Sequence, residues 1–290
     1  MKQALIKLHI SVFLAGFTGI LGKLITLNEG LLVWYRIMLT VATLFIWLSW
    51  KKTITRIPPS SVWKLLGIGS LIALHWVCFY ASIKIANVSI GLVCFASVGF
   101  FTAILEPLMT DKKFSWQETG LGLISLLGIY LIFHFDPRYQ TGILFGIASA
   151  VLGALFSVLN KKNVEVAPAP TLMLYELSGG LLVLTILMPL YLYYFPTAYI
   201  FPTLTDLGWL LVLSWFCTVL GMDLMLQALK KVSAFTQNLT LNLEPVYGIL
   251  LAFILFKENE NLKNSFYLGF ALITFSVVLQ MLRVMKRKKV

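Results

Sequence analysis

The sequence predicts an all-α polytopic membrane protein, with ten transmembrane helices in two inverted five-helix repeats. Three observations predict it. Hydrophobic residues make up 59 % and charged residues 12 % of the 290 positions, where a soluble domain is nearer half apolar and a quarter charged. Mean hydropathy is +0.88. The apolar residues gather into ten runs long enough to cross a bilayer, Lys and Arg alternate in abundance between successive loops, and the two halves carry matching landmarks in the same order. This composition excludes a cytosolic enzyme, a disordered chain and a nucleic-acid binder whose basic residues form one patch.

Each span needs roughly 20 apolar residues. Span 1, residues 7–26, follows Lys2 and Lys7. Its apolar run continues past Gly16 to Lys23 without a small-residue cleavage site, so it reads as a helix and not a signal peptide. Asn28-Glu29-Gly30 turns the chain into span 2, residues 31–50, which Lys51, Lys52 and Pro58-Pro59 close. Span 3, 63–82, stops before Lys84. Span 4, 88–109, contains Gly99 and ends at Asp111-Lys112-Lys113. Span 5, 117–135, ends at Asp136-Pro137. Span 6, 142–161, runs to Lys161-Lys162 and carries the small residues Gly146, Ala150, Gly153 and Ala154. These match Gly16, Gly19 and Gly22 of span 1 in permitting close helix approach. Pro168-Ala169-Pro170 precedes span 7, 171–193. Span 8, 207–229, leads to Lys230-Lys231. Span 9, 233–256, holds a polar seam and Pro245. Span 10, 265–283, ends in a basic tail suited to anionic lipid.

The basic residues orient the spans. With a cytoplasmic N-terminus, 17 Lys and Arg fall inside and 4 outside, while Lys23 and Arg36 sit near the outer ends of their spans. That is a strong positive-inside bias, and one missed span would scramble it. Both termini are therefore expected in the cytoplasm, and the net charge of +11 needs no nucleic acid to explain it. Eight Trp, five of them near span ends (Trp34, Trp50, Trp63, Trp116 and Trp209), suit membrane interfaces.

The halves, 1–138 and 141–290, are collinear. Lys23 matches Lys161, Tyr35-Arg36 matches Tyr175-Glu176, Lys84 matches Lys230 and Asp111 matches Glu258, at offsets of 138, 140, 146 and 147. Five spans per half make the second half enter the membrane from the opposite side. Secondary transporters commonly have this architecture. A duplicated membrane enzyme or scaffold is the other reading.

Leu243-Glu244-Pro245-Val246, Leu250-Leu251, Phe256-Lys257-Glu258 and Leu268-Gly269 resemble the end of an EamA repeat, from the drug/metabolite transporter superfamily. Phe101-Thr102-Ala103-Ile104-Leu105, Asp111, Gly120-Leu121-Gly122 and Gly128-Ile129-Tyr130 carry the same shape more faintly in the first half. The resemblance implies a ten-helix carrier, often an exporter of amino acids, other metabolites or toxic organic cations, in a bacterial plasma membrane. Gly99 stands where the family commonly has proline, and Asp111 where it has glutamate. The alternatives are a flippase for lipid-linked substrates and a membrane-embedded enzyme acting on lipid intermediates.

Gly99 and Pro245 lie at matching positions, offset 146, and paired breaks point to a site at mid-membrane. Glu244 lies midway along span 9, where an ionised acid needs a cavity or a partner. It is a candidate for a substrate amine or a coupling proton, and a structural hydrogen bond is its other reading. Asn238, Asn242 and Pro245 share one helix face, and Gln237 and Glu244 an adjoining one. Trp76 is too central for an interface anchor. With Phe79 and Tyr80 it suggests an aromatic wall, beside His75, which also reads as a core histidine. The expected substrate-binding set is His75, Trp76, Tyr80, Asn238, Asn242 and Glu244. Arg36, Glu176, Gly99 and Pro245 are expected to gate or to form a network, Arg36 from a shallow outer position. Cys78, Cys94 and Cys217 are too scattered for a disulfide framework or a metal cluster. No P-loop is present, so no ATP-driven pumping, metal or cofactor is expected. The expected partners are a small-molecule substrate, membrane lipid and protons.

Overall fold

The computed structural model describes residues 2–135, 137–241 and 243–287. All regular structure among them is helical. In chain order the helices are α1 (Lys2–Leu24), α2 (Glu29–Trp50), α3 (Pro59–Ile85), α4 (Val88–Phe95), α5 (Val98–Met109), α6 (Trp116–Phe135), α7 (Gln140–Asn163), α8 (Ala169–Tyr194), α9 (Leu204–Val212), α10 (Gly221–Leu229), α11 (Ala234–Leu241), α12 (Glu244–Phe256) and α13 (Asn264–Arg287). A π-helical stretch, Leu213–Leu220, joins α9 to α10. Seven helical stretches are long and apolar enough to cross a membrane, and two of these, α4 with α5 and α9 with α10, are assembled from pieces. Trp116–Ile132 and α12 are shorter apolar helices.

The broken helices satisfy their own backbones, as a helix interrupted within a membrane must. Asn87 caps α4 by accepting the Ile90 N–H at 2.8 Å. At the break after α4, the Ser97 N–H and hydroxyl both donate to the Cys94 carbonyl. The interruption falls at Ala96–Ser97, just before Gly99, which sits inside the first turn of α5. In the second half, Leu243 forms the turn and Pro245 occupies the first turn of α12. A proline there lacks only an N–H that would have had no helical partner.

Close packing depends on glycine at two crossings. A methyl group at Gly69 of α3 would overlap the Glu176 carbonyl of α8, and one at Gly179 would overlap Leu66. Gly128 of α6 and Gly269 of α13 each face the other's backbone carbonyl. Around these contacts α3 lies against both α7 and α8, and α1 lies against α10 and α12. The large apolar side chains left exposed, among them Trp50, Trp63, Trp116 and Ile254, suit a lipid-facing surface and not water.

Candidate functional site

One face of α1 organises the interior. Ala4, Lys7, Ser11, Ala15 and Thr18 recur every three or four residues, which stacks them in a stripe. The lower part of the stripe borders a cavity of about 610 Å³, together with Trp47, Asp223, Gln227, Lys230 and Lys231. The upper part, Ser11, Ala15 and Thr18, borders a second cavity of about 90 Å³ in the middle of the bundle. One turn further, the Tyr80 ring packs against Gly22 and fills the space a side chain would take. The stripe thus starts in an open vestibule where α1 begins and stops beneath Tyr80.

The inner chamber draws residues from both halves of the chain. From the first come Arg36 of α2, His75 and Trp76 of α3, and Phe95 of α4. From the second come Ser157 of α7, Cys217, Met222 of α10, Gln237 and Asn238 of α11, and Glu244 of α12. The π-helical stretch matters here. Its wider turn lets the Thr218 hydroxyl donate to the Leu213 carbonyl, five residues back, at 2.9 Å. The same hydroxyl accepts from Arg36 Nε at 2.8 Å. Such local widening recurs at functional sites.

Arg36 is not a shallow, snorkelling residue. It is 2 % exposed, its guanidinium carbon lies 3.7 Å from the Trp76 ring centroid, and Nη1 donates to the Tyr80 hydroxyl at 2.9 Å. Its depth follows from these three partners, which lie inward and not toward an interface. Tyr80 is buried behind Arg36 instead of lining the chamber. His75 lines it and also anchors a helix contact: Nδ1 lies 2.8 Å from the Ser149 carbonyl. Asn238 is bonded on both sides. Its Nδ2 donates to Thr102 at 2.8 Å and its Oδ1 accepts from Ser157 at 3.0 Å. Glu244 is 5 % exposed and borders the chamber with no hydrogen bond to a described residue. Asn242 lies outside the described residues. Gly99, Pro245 and Glu176 are buried but do not border the chamber. The Glu176 carboxylate accepts from Asn160 at 3.3 Å.

Two acidic clamps hold the broken helices. Glu106 of α5 accepts the Ala234 and Phe235 N–H groups, both at 3.1 Å, and Lys112 at 3.0 Å. Glu258 accepts the Val88 and Ser89 N–H groups at 3.1 and 2.9 Å, the Ser89 hydroxyl at 2.7 Å and Lys23 at 2.7 Å. Each carboxylate sits on the positive end of a helix, where backbone N–H groups lack partners. The sequence match of Asp111 with Glu258 is therefore corrected. Asp111 is exposed, and Glu106 makes the equivalent bonds.

Sequence reasoning missed Glu106, the α1 stripe and the π-helical stretch. The stripe was visible as small and polar residues at helical spacing. Glu106 was visible as an acid inside an apolar run.

A model of the EamA-like transporter family matches residues 3–134 and again residues 140–282. The chain belongs to the EamA-like transporter family. It therefore carries two EamA repeats, and it is a membrane protein of a transporter family. A solved structure described only as "Crystal structure of protein" is similar to it, with a TM-score of 0.70 at 15 % identity over 99 % of each chain. At that identity the likeness speaks for the fold alone. No match was found among curated proteins. Among the described residues no three His, Cys, Asp or Glu side chains gather as a metal site.

Proposed function

We propose that the protein is a secondary carrier that exports small metabolites, such as amino acids or organic cations, by alternating access to the chamber beside α1. The observation that carries this reading is the stripe from Ala4 to Thr18. It borders an open vestibule at one end, borders the polar chamber above, and stops at the Tyr80–Gly22 contact. The positive-inside census supports assigning the vestibule to the cytoplasm of a bacterial plasma membrane, the side from which an exporter loads.

Ten spans follow if α6, α11 with α12, and α13 each cross beside the seven long stretches. The Glu106 and Glu258 clamps support inverted repeats, because each half holds the broken helix of the other by the same bonds. In this reading Trp76, His75, Asn238, Asn242 and Glu244 contact substrate, and Arg36 joins them from inside the chamber. Tyr80 closes the far side. Glu176, Gly99 and Pro245 shape the elements behind the wall. Glu244 is the group proposed to carry a coupling proton. A chamber of about 90 Å³ holds several waters and suits a small metabolite better than a lipid-linked one.

The test is counterflow in proteoliposomes over a panel of amino acids, organic acids and organic cations. A substrate should emerge whose flux is lost in Met225→Trp, which fills the chamber from α10. Flux that survives this filling would move the pathway elsewhere.

A further inference from the structure

Arg36 brings a full charge into the chamber and meets only neutral partners: Thr218, Tyr80 and the Trp76 ring. A guanidinium has five N–H donors, and the Nη2 group has no hydrogen bond to a described residue. No carboxylate of the described residues lies within ion-pair distance of it. Gln237 borders the same chamber at 0 % exposure, with both side-chain amide atoms unpartnered. A buried cation with no direct ion pair and a buried amide without bonds are both costly; Glu244 borders the same chamber but acts on Arg36 only through space. A ligand with a carboxylate and a second polar group relieves both. The vestibule below has an excess of the matching sign: Lys7, Lys230 and Lys231 border it with Asp223, and Lys230 also lies 3.9 Å from Glu165. A cleft lined by one charge raises the local concentration of the opposite one.

We infer that Arg36 is the receptor for a substrate carboxylate, with Gln237 bonding its polar neighbour, so that the chamber selects small carboxylate-bearing metabolites over organic cations. Arg36 suits this task because its planar fork matches a carboxylate with two parallel bonds. Glu244 offers a site for an ammonium group, so a zwitterion meets both charges. This inference rests on the proposed transport reading and narrows it.

Thermal stabilisation of the full chain in detergent tests the inference with four probes of similar bulk: leucine, 4-methylvalerate, leucine methyl ester and tetraethylammonium. At least one carboxylate should stabilise the protein, and the ester and tetraethylammonium should not. Arg36→Lys should weaken the carboxylate by roughly tenfold to a hundredfold, the loss expected for a charge-assisted bond. Gln237→Leu removes a side chain that holds nothing in the fold, so it should stay folded and weaken binding roughly five- to tenfold. Stabilisation by either cation, or unchanged carboxylate binding in Gln237→Leu, overturns the inference and leaves the carrier standing. If no probe stabilises but Cys217 in the chamber reacts with an aqueous thiol reagent, the carboxylate inference alone fails. If no probe stabilises and Cys217 is also inert, the transport reading fails with it.

Discussion

Glu106 and Glu258 hold each other's half of the molecule. Glu106, in the first half, accepts the first N–H groups of α11, and Glu258, in the second half, accepts those of α4. Each is also paired with a lysine, Lys112 and Lys23 respectively. The chain thus ties both interrupted helices across the boundary between its halves, at sites beyond the chamber wall.

Replacing either clamp by its amide should cost about 1.5–3 kcal/mol, the range for hydrogen bonds to a charged group. Glu106→Gln and Glu258→Gln should each lower the melting temperature in detergent, and their effects should add, as for sites with no shared partner. Burial raises the Glu258 carboxyl, but the bonds from Lys23 and Ser89 outweigh it, so the group sits below its ordinary range. A depressed carboxyl contributes stability above its unfolded pKa and loses it as pH falls through the folded value. The gap between wild type and Glu258→Gln should therefore be full at neutral pH and shrink below about pH 4. A gap that stays constant into acid would detach it from the carboxylate charge.

Two glycines on α3, two positions apart, should behave in opposite ways. A methyl at Gly69 meets the Glu176 backbone, whereas one at Gly67 meets nothing within 4 Å. Gly69→Ala should lose folded protein, with a cost of about 3 kcal/mol or more from overpacking against backbone. Gly67→Ala should be neutral or gain up to about 1 kcal/mol from helix propensity. Size-exclusion yield and melting temperature read both.

The membrane-crossing helical character and the seven long spans were legible because apolar runs, prolines and lysines state where a chain can cross a membrane. The match of Lys84 with Lys230 pointed to duplicated halves for the same reason. Side-chain depth was not legible. Arg36 stands near a span end and was expected at the rim, yet the aromatic face of Trp76 and the Thr218 hydroxyl draw it inward. Asp111 and Glu106 are five positions apart, and only the fold decides which carboxylate reaches the start of α11. The π-helical stretch has no proline or glycine within Leu213–Leu220 to announce it.

Glu244→Gln should keep the fold, because it preserves shape and Glu244 makes no bond to a described residue. In proteoliposomes it should abolish pH-driven accumulation while leaving substrate exchange measurable. Retained accumulation would remove Glu244 from coupling, and loss of folded protein would mark it as a packing partner.

The proposed topology sets four loops in fixed positions. On a cysteine-free background, thiols introduced near Asn28 and Pro202 should label from outside, and those near Pro58 and Pro168 from inside. One loop on the wrong side would break the count of ten spans.

Cys217 offers the most direct test, because this native thiol borders the chamber. With Cys78 and Cys94 replaced by alanine, a membrane-impermeant thiol reagent can be applied separately to right-side-out and inverted vesicles. If the chamber alternates between the two faces, Cys217 should react from both, and substrate or the Met225→Trp filling should protect it from both. Reaction from one face only, under every condition, would contradict alternating access.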